Sequence, residues 1–132
     1  MVAEIPPPPP PPPAAEEVTD ESKLFGLIAW LLGLIGAIIA LVLKKEDRYV
    51  VFHAKQSLVL WIGVIAIDIV VMILSFALSL MRLGILTLLF GWLPGLIGLI
   101  GLIITIIGAL KAYGGEWWKA PIIGDIADKI SL

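Results

Sequence analysis

Hydrophobic residues in this 132-residue chain form three long runs separated by short charged segments. Residues 24–43 and 83–110 contain no charged residue, and residues 57–81 contain one, Asp68. A helix of about 20 apolar residues crosses a hydrocarbon core of about 30 Å. The pattern therefore predicts an all-α integral membrane bundle of three transmembrane helices, at about 24–43, 57–81 and 84–110.

A polar tail, residues 1–23, precedes the first run and contains eight consecutive prolines, Pro6 to Pro13. Proline fixes φ and lacks an N–H group, so we expect polyproline II within a disordered tail. The favoured interpretation is a stiff spacer, and the alternative is a ligand for an aromatic groove in a partner. Asp20 or Ser22 is expected to cap the helix that follows.

The remaining polar segments mark the ends of the other helices. Asp47, in the charged connector 44–56, is expected to cap a helix that begins near Arg48 and continues into the second span. Gly114 and Gly115 suit the end of the third helix. These limits define a membrane domain over 24–113 and a short interfacial C-terminal tail over 114–132, which lies on the membrane or packs under the bundle.

The third run is longer than one span requires, and Pro94 interrupts it. Proline is tolerated in a first helical turn or at a kink. The favoured layout is one tilted, kinked helix over most of 84–110. The alternative is a short apolar segment followed by a span from about 91 to 110.

Lysine and arginine positions predict the orientation, because they are enriched in cytoplasmic segments. With three spans, the connector and the C-terminus share one side of the membrane. The N-terminal tail has Lys23 and the second loop has Arg82, and the shared side has seven basic residues: Lys44, Lys45, Arg48, Lys55, Lys111, Lys119 and Lys129. We therefore expect a cell-membrane protein whose connector and C-terminus are cytoplasmic and whose N-terminus is outside.

Composition excludes several classes of function. Hydrophobic residues make up 60% of the chain and charged residues 15%, against about 25% charged in soluble domains. The net charge of −2 and the lack of a basic stripe exclude a nucleic-acid partner. The chain has no cysteine, and it shows no nucleophile–base pair or metal-ligand spacing. We therefore expect no catalytic, cofactor-binding or metal-binding residues, and no enzyme.

Three polar residues are candidate functional residues. Asp68 lies near mid-bilayer in the predicted second span, where a carboxylate costs about 2.5–3.5 kcal/mol. It is either a proton or cation site, or a protonated carboxyl that donates one hydrogen bond between helices or subunits. His53, the only histidine, is expected at the membrane edge, donating to a carbonyl or a headgroup phosphate. Gln56 lies one turn after it.

Glycines recur along the first and third runs and predict close helix packing, since small residues let helix backbones approach in lipid. Two interpretations remain open, packing within one bundle or a face that forms a homo-oligomer. The candidate packing residues are Gly33, Gly36, Gly91, Gly95, Gly98, Gly101 and Gly108.

Two segments, YVVFHAKQSL at 49–58 and GALKAYGGEWWKAPIIGDIA at 108–127, resemble a family of small prokaryotic membrane proteins of unknown function. That family is similar to the twenty-kilodalton subunit of the chloroplast Tic import translocon. The resemblance implies a multispan, self-associating component and brings no catalytic role. The positions that match the pattern are Phe52, His53, Ala54, Gln56, Gly115, Pro121 and Gly124.

Together these observations favour a structural or accessory component of a membrane complex, which acts by helix association in the lipid bilayer. Its partner is a second copy or a larger complex. The alternative is a channel or translocon-like transport component in which Asp68 is an intramembrane proton or cation site.

Overall fold

The computed structural model describes residues 4–10 and 17–131 of the chain. Within those residues all regular structure is helical, which confirms the all-α fold class. The helices are α1 Asp20–Leu31, α2 Gly33–Leu43, α3 Arg48–Leu80, α4 Gly84–Gly91, α5 Leu93–Tyr113 and α6 Ile123–Asp128.

The N-terminal segment becomes helical earlier than predicted. Residues 6–10 of the proline run are exposed and lie outside helices and strands, and residues 11–13 lie outside the described residues. The helix cap is Thr19, so the expectation of Asp20 or Ser22 is wrong. Thr19 has an extended backbone, and its hydroxyl accepts a hydrogen bond from the backbone N–H of Ser22, which places Asp20 and Ser22 inside the first turn.

The first apolar run folds back on itself as a helical hairpin. The carboxylate of Glu21, at the start of α1, forms an ion pair of 2.5 Å with Lys44, directly after α2. The hydroxyl of Ser22 donates a hydrogen bond to the carboxylate of Asp47. Both ends of the run therefore lie at the same end of the molecule. Two short helices therefore take the place of the predicted single helix over 24–43, and the three-span bundle is not confirmed.

Glycine explains the turn between the two arms of this hairpin. Gly33 has φ +59°, a conformation that residues with a side chain rarely adopt. A Cβ atom at Gly36 would lie 2.2 Å from the carbonyl oxygen of Ile28, so only glycine permits this approach of α2 to α1. Each arm is about 17–18 Å long at 1.5 Å per residue, too short to cross a hydrocarbon core of about 30 Å.

Two helical runs are long and apolar enough to span a membrane, α3 and the run from Gly84 to Tyr113. As predicted, Asp47 caps α3, since its carboxylate accepts from the N–H groups of Tyr49 and Val50. The second run has 30 residues and is divided into α4 and α5 at Trp92. Proline lies in the first turn of α5, where its missing N–H costs no helical hydrogen bond.

Three segments of the chain meet at one end of the molecule, here named the polar end: residues 17–23, 44–56 and 111–131. The N-terminal segment lies there beside the connector, whereas the sequence predicts the two on opposite sides of the membrane. Arg82 stands at the opposite end, between α3 and α4, so eight of the nine lysines and arginines lie at the polar end.

The buried core also lies towards the polar end. Its main cluster joins the hairpin, α3, α5 and the C-terminal segment, and contains Trp30, Leu60, Val64, Ala109, Ala112 and Ala120. By contrast, α4 has no buried residue. The C-terminal helix α6 packs under the first turns of α3, where Gly124 and Ala127 are buried. The buried contacts between distant parts of the chain are therefore concentrated towards the polar end.

Candidate functional site

Three polar side chains project from one face of the first turns of α3. Tyr49, His53 and Gln56 are spaced four and three residues apart, so they lie above one another on the helix. All three are buried and bond to the backbone of residues 112–120. We name these contacts, together with Trp30, the His53 network.

His53 lies at the centre of this network and is fully buried. Its Nδ1 accepts a hydrogen bond of 3.0 Å from the indole Nε1 of Trp30. Its Nε2 lies 2.8 Å from the carbonyl oxygen of Glu116. An indole N–H only donates and a carbonyl only accepts. The imidazole is therefore neutral, with its proton on Nε2, and both ring nitrogens are satisfied.

The environment of His53 opposes its ionised form. His53 lies in the connector, outside the apolar stretch of α3, which begins at Ser57. Burial lowers the pKa of His53 to about 4, and the hydrogen bond to the carbonyl of Glu116 opposes that shift only in part. At neutral pH the side chain is thus a fixed hydrogen-bond bridge between α1 and the C-terminal segment.

Tyr49 ties the start of α3 to the end of α5. Its hydroxyl donates to the carbonyl oxygen of Ala112 at 2.5 Å. Burial, with the nearby carboxylates of Glu116 and Asp47, raises the pKa of Tyr49 to about 12, so the hydroxyl keeps the proton that it donates. The ring packs edge-on against the rings of His53 and Trp117, with centroids 4.7 and 5.1 Å away.

Gln56 binds the C-terminal segment with both ends of its amide. Its Nε2 donates to the carbonyl of Trp118 at 3.0 Å, and its Oε1 accepts from the N–H of Ala120 at 2.7 Å. A Cβ atom at Gly124 would lie 3.2 Å from this Oε1 and 2.9 Å from Cβ of Lys119. Glycine at 124 therefore keeps the segment close enough for the amide to reach it.

The network brings together the two segments that carried the family resemblance, 49–58 and 108–127. The sequence alone points to His53 and Gln56 but not to their partners, Trp30 and Tyr49. A signal was available for Trp30, because it is the only tryptophan in the first apolar run. A tryptophan N–H inside an apolar segment needs an acceptor.

Chemically, the His53 network is saturated. Each polar atom named above has a hydrogen-bond partner, and the groups around His53 are carbonyls and an indole. Within residues 4–10 and 17–131, no three His, Asp or Glu side chains are close enough to hold a metal ion. The arrangement is suited to fastening the C-terminal segment to the bundle.

Asp68 is not part of this site. It lies 15 residues further along α3 than His53, or about 22 Å at 1.5 Å per residue. Its Oδ1 is buried without a hydrogen-bond partner among the residues described. The hydroxyls of Ser75 and Thr105 are in the same state.

The structure divides the seven candidate packing glycines into two groups. Gly33, Gly36, Gly101 and Gly108 contact the interior: a Cβ atom at Gly108, for example, would lie 2.4 Å from Cε2 of Trp30. The others face open space, because a Cβ atom there would meet nothing within 4 Å: Gly91, Gly95 and Gly98. The glycines of the third apolar run therefore pack within the bundle nearer the polar end, at Gly101 and Gly108, and are exposed further from it.

Comparison with known proteins finds a family model that matches residues 22–127, described as the magnetosome magnetite crystal formation protein family. A UPF0132 membrane protein of Methanocaldococcus jannaschii is 34% identical over 112 residues, covering 84% of this chain and 89% of the relative. One from Archaeoglobus fulgidus is 33% identical, covering 83% and 94%. The magnetosome protein MamF of Magnetospirillum gryphiswaldense is 30% identical, covering 67% and 68%. No solved structure matches at a significant level.

Proposed function

Because the chain belongs to the magnetosome magnetite crystal formation protein family, in which relatives are named membrane proteins, we propose that it is a structural or accessory component of a membrane complex. It acts without enzymatic chemistry, by helix association. The archaeal relatives, which cover more of the chain than MamF does, carry only the description of membrane protein. The proposal therefore includes no role in crystal formation.

The proposed topology has two spans and one re-entrant hairpin. Residues 57–80 of α3 and the α4–α5 run cross the cell membrane, and α1 and α2 enter from the polar end and return to it. With eight of nine basic residues at the polar end, the positive-inside rule places that end in the cytoplasm. The N-terminal segment, the connector and the C-terminus are then all cytoplasmic.

The exposed glycine face carries the association proposal. Gly95 and Gly98 are three residues apart and share one side of α5, and Gly91, at the end of α4, is open as well. Bare glycine in a lipid-facing helix lets a second backbone approach closely, and such contacts drive association in lipid. The partner is a second copy or another membrane protein.

Asp68 adds an independent reason for a partner at this depth. Cγ2 of Val64 lies 3.2 Å from the position of a Cβ atom at Gly101. Asp68 is one turn beyond Val64, and Gly98 is about one turn before Gly101 in the antiparallel run. The unpartnered Oδ1 of Asp68 is therefore level with the exposed glycines. A hydrogen bond from an associating helix would satisfy it.

The proposal is tested by the mass and composition of the complex, purified from native membranes in a mild detergent. Replacing Gly95 and Gly98 together by leucine should dissociate the homo-oligomer or release the partner. Gly63→Leu is the matched control, because Gly63 on α3 is also open but lies outside the glycine face. A complex of unchanged mass and composition in the double variant contradicts the proposal.

A second candidate function is a channel or translocon-like component, and the buried, unpartnered Oδ1 of Asp68 favours it. Ionisable residues inside a membrane often mark ion or proton pathways. Proton or cation flux in reconstituted vesicles is the readout. Asp68→Asn keeps the size of the side chain and removes its charge, so flux that is equal in wild type and variant rules out this candidate.

A further inference from the structure

A groove at the polar end carries positive charge that the His53 network does not use. It has a volume of about 330 Å³ and lies between the first turns of α3 and the C-terminal segment. Three basic side chains line it, Lys45, Arg48 and Lys55. Arg48 and Lys55 are seven residues apart on α3 and therefore share one face of the helix.

These three basic residues differ from several other lysines at the polar end. Lys44 pairs with Glu21, Lys111 with Glu116, and Lys119 with Asp128. Among the described residues, Lys45, Arg48 and Lys55 form no such ion pair. Nζ of Lys55 donates a hydrogen bond of 2.7 Å to the carbonyl oxygen of Ile130. This carbonyl is neutral, so the positive charge of Lys55 is not neutralised.

The acidic side chain in the groove does not cancel this charge. Asp128 lines the groove, but its carboxylate is bonded to the ammonium of Lys119. The carboxylate of Asp47, at the start of α3, accepts from two backbone N–H groups and from Ser22. An anion in the groove would therefore meet three positive groups and carboxylates that are already engaged.

Aromatic residues place the groove at the level of lipid headgroups. Phe52 and Trp117 both line it, and their ring centroids are 5.1 Å apart. Trp117 is half exposed, although it is large and apolar. Tryptophan is enriched where the membrane meets water. Val51 and Ala127 extend the apolar wall, which offers a surface to the glycerol and upper acyl region of a lipid.

We propose that this groove binds the phosphate of an anionic phospholipid. The guanidinium of Arg48 is suited to two phosphate oxygens at once, and the ammonium groups of Lys45 and Lys55 act as point charges beside it. Basic pockets on the cytoplasmic side of membrane helices are suited to such headgroups. The proposal uses no residue of the glycine face and is independent of the proposed association.

The experiment is native mass spectrometry of the full chain in a mild detergent, titrated with phosphatidylglycerol, phosphatidylcholine or inorganic phosphate. We expect phosphatidylglycerol to bind more tightly than phosphatidylcholine. Loss of one basic group, Arg48→Gln, should weaken it about tenfold, and loss of all three about a hundredfold. Lys111→Gln, a change of equal charge at the same end but outside the groove, should leave the affinity unchanged.

A variant that conserves charge distinguishes loss of charge from loss of folding. The double variant Lys45→Arg and Lys55→Arg retains all positive charges and should bind phosphatidylglycerol as the wild type does. Equal affinity of the wild type and the triple glutamine variant for phosphatidylglycerol overturns the proposal. If inorganic phosphate displaces phosphatidylglycerol at comparable concentration, the groove is a site for free phosphate, and the assignment to lipid is wrong.

Discussion

The indole Nε1 of Trp30 lies 3.0 Å from Nδ1 of His53 and donates a hydrogen bond to it. Trp30 belongs to the first arm of the hairpin and His53 to the second turn of α3. Since both side chains are fully buried, water cannot replace either partner. The position of the hairpin is thereby coupled to the neutral form of one imidazole.

Removing either partner should destabilise the protein, and removing both should cost less than the sum. A buried polar group left without a partner costs about 1–3 kcal/mol. Trp30→Phe, His53→Leu and the double variant form a thermodynamic cycle. We expect a coupling of about 1 kcal/mol in the free energy of unfolding, measured in detergent by circular dichroism. Additive effects of the two substitutions would show that the hydrogen bond contributes nothing.

Stability should fall in mild acid because of His53. Its pKa is about 4 in the folded protein and about 6.5 in an unfolded chain. The unfolded state therefore binds more protons between these values. The contribution is fully present above about pH 6.5 and is lost as the pH falls towards 4, by at most about 3 kcal/mol.

The measurement is the unfolding free energy at several pH values between 7.5 and 4.5, for wild type and His53→Gln. The variant keeps every carboxylate, so its pH dependence reports those groups alone. The difference between the two proteins should decrease as the pH falls. A difference that does not change with pH would show that His53 is already protonated, or that it is exposed to solvent.

The hairpin makes a sharp prediction about topology. The chain has no cysteine, so single engineered cysteines report one position each. Cysteines at Glu17 and Glu46 should react with an impermeant reagent from the same side of the membrane, and a cysteine at Arg82 from the other side. A single span over 24–43 would place Glu17 and Glu46 on opposite sides, so opposite labelling would refute the hairpin.

Close packing within the hairpin depends on Gly36. Adding one methyl group there, Gly36→Ala, brings Cβ to 2.2 Å from a backbone oxygen of α1, and neither atom can rotate away. We expect a loss of at least about 1–3 kcal/mol in unfolding free energy. Gly63→Ala adds the same methyl group in open space and should leave stability unchanged or slightly increased. Similar values for the two variants would argue against the observed turn.

Gln56 should control the C-terminal segment more than the bundle. Gln56→Ala removes both hydrogen bonds between the side-chain amide and the backbone of residues 118 and 120 and leaves the helices in place. We expect faster cleavage by trypsin at Lys119 with little change in the cooperative unfolding of the helices. Lys111→Gln is the control, because it leaves both hydrogen bonds of Gln56 in place and should not change the rate of cleavage at Lys119. Cleavage at the wild-type rate would show that other contacts hold the segment.

Several parts of the fold follow directly from the sequence. Asp47 before a basic and aromatic turn predicts the start of α3, and Gly114 with Gly115 predicts the end of α5; Gly115 indeed has φ +79°. These signals depend on neighbouring residues, so they can be recognised in a single sequence. The membrane class follows in the same way, from the lengths of the apolar runs.

The hairpin could not be recognised in this way. Twenty apolar residues have the hydropathy of one span whether they form one helix or two short ones, because hydropathy does not report chain direction. The deciding features are the left-handed conformation of Gly33 and the contact of Gly36 with Ile28. Both depend on tertiary structure. The same reason explains why the partners of His53, which are 23 and 63 residues away in sequence, were missed.

The hairpin also determines the shape that the protein presents to lipid. On the polar side of the bundle four helices lie side by side, α1, α2, α3 and α5, whereas the opposite side holds α3 and the α4 end of the second run. Each helix is about 10 Å across, so in the proposed topology the molecule would displace about twice as much lateral area in one leaflet as in the other. The proposed topology therefore predicts a wedge, and a dense layer of parallel copies would bend, with the polar ends on its convex surface.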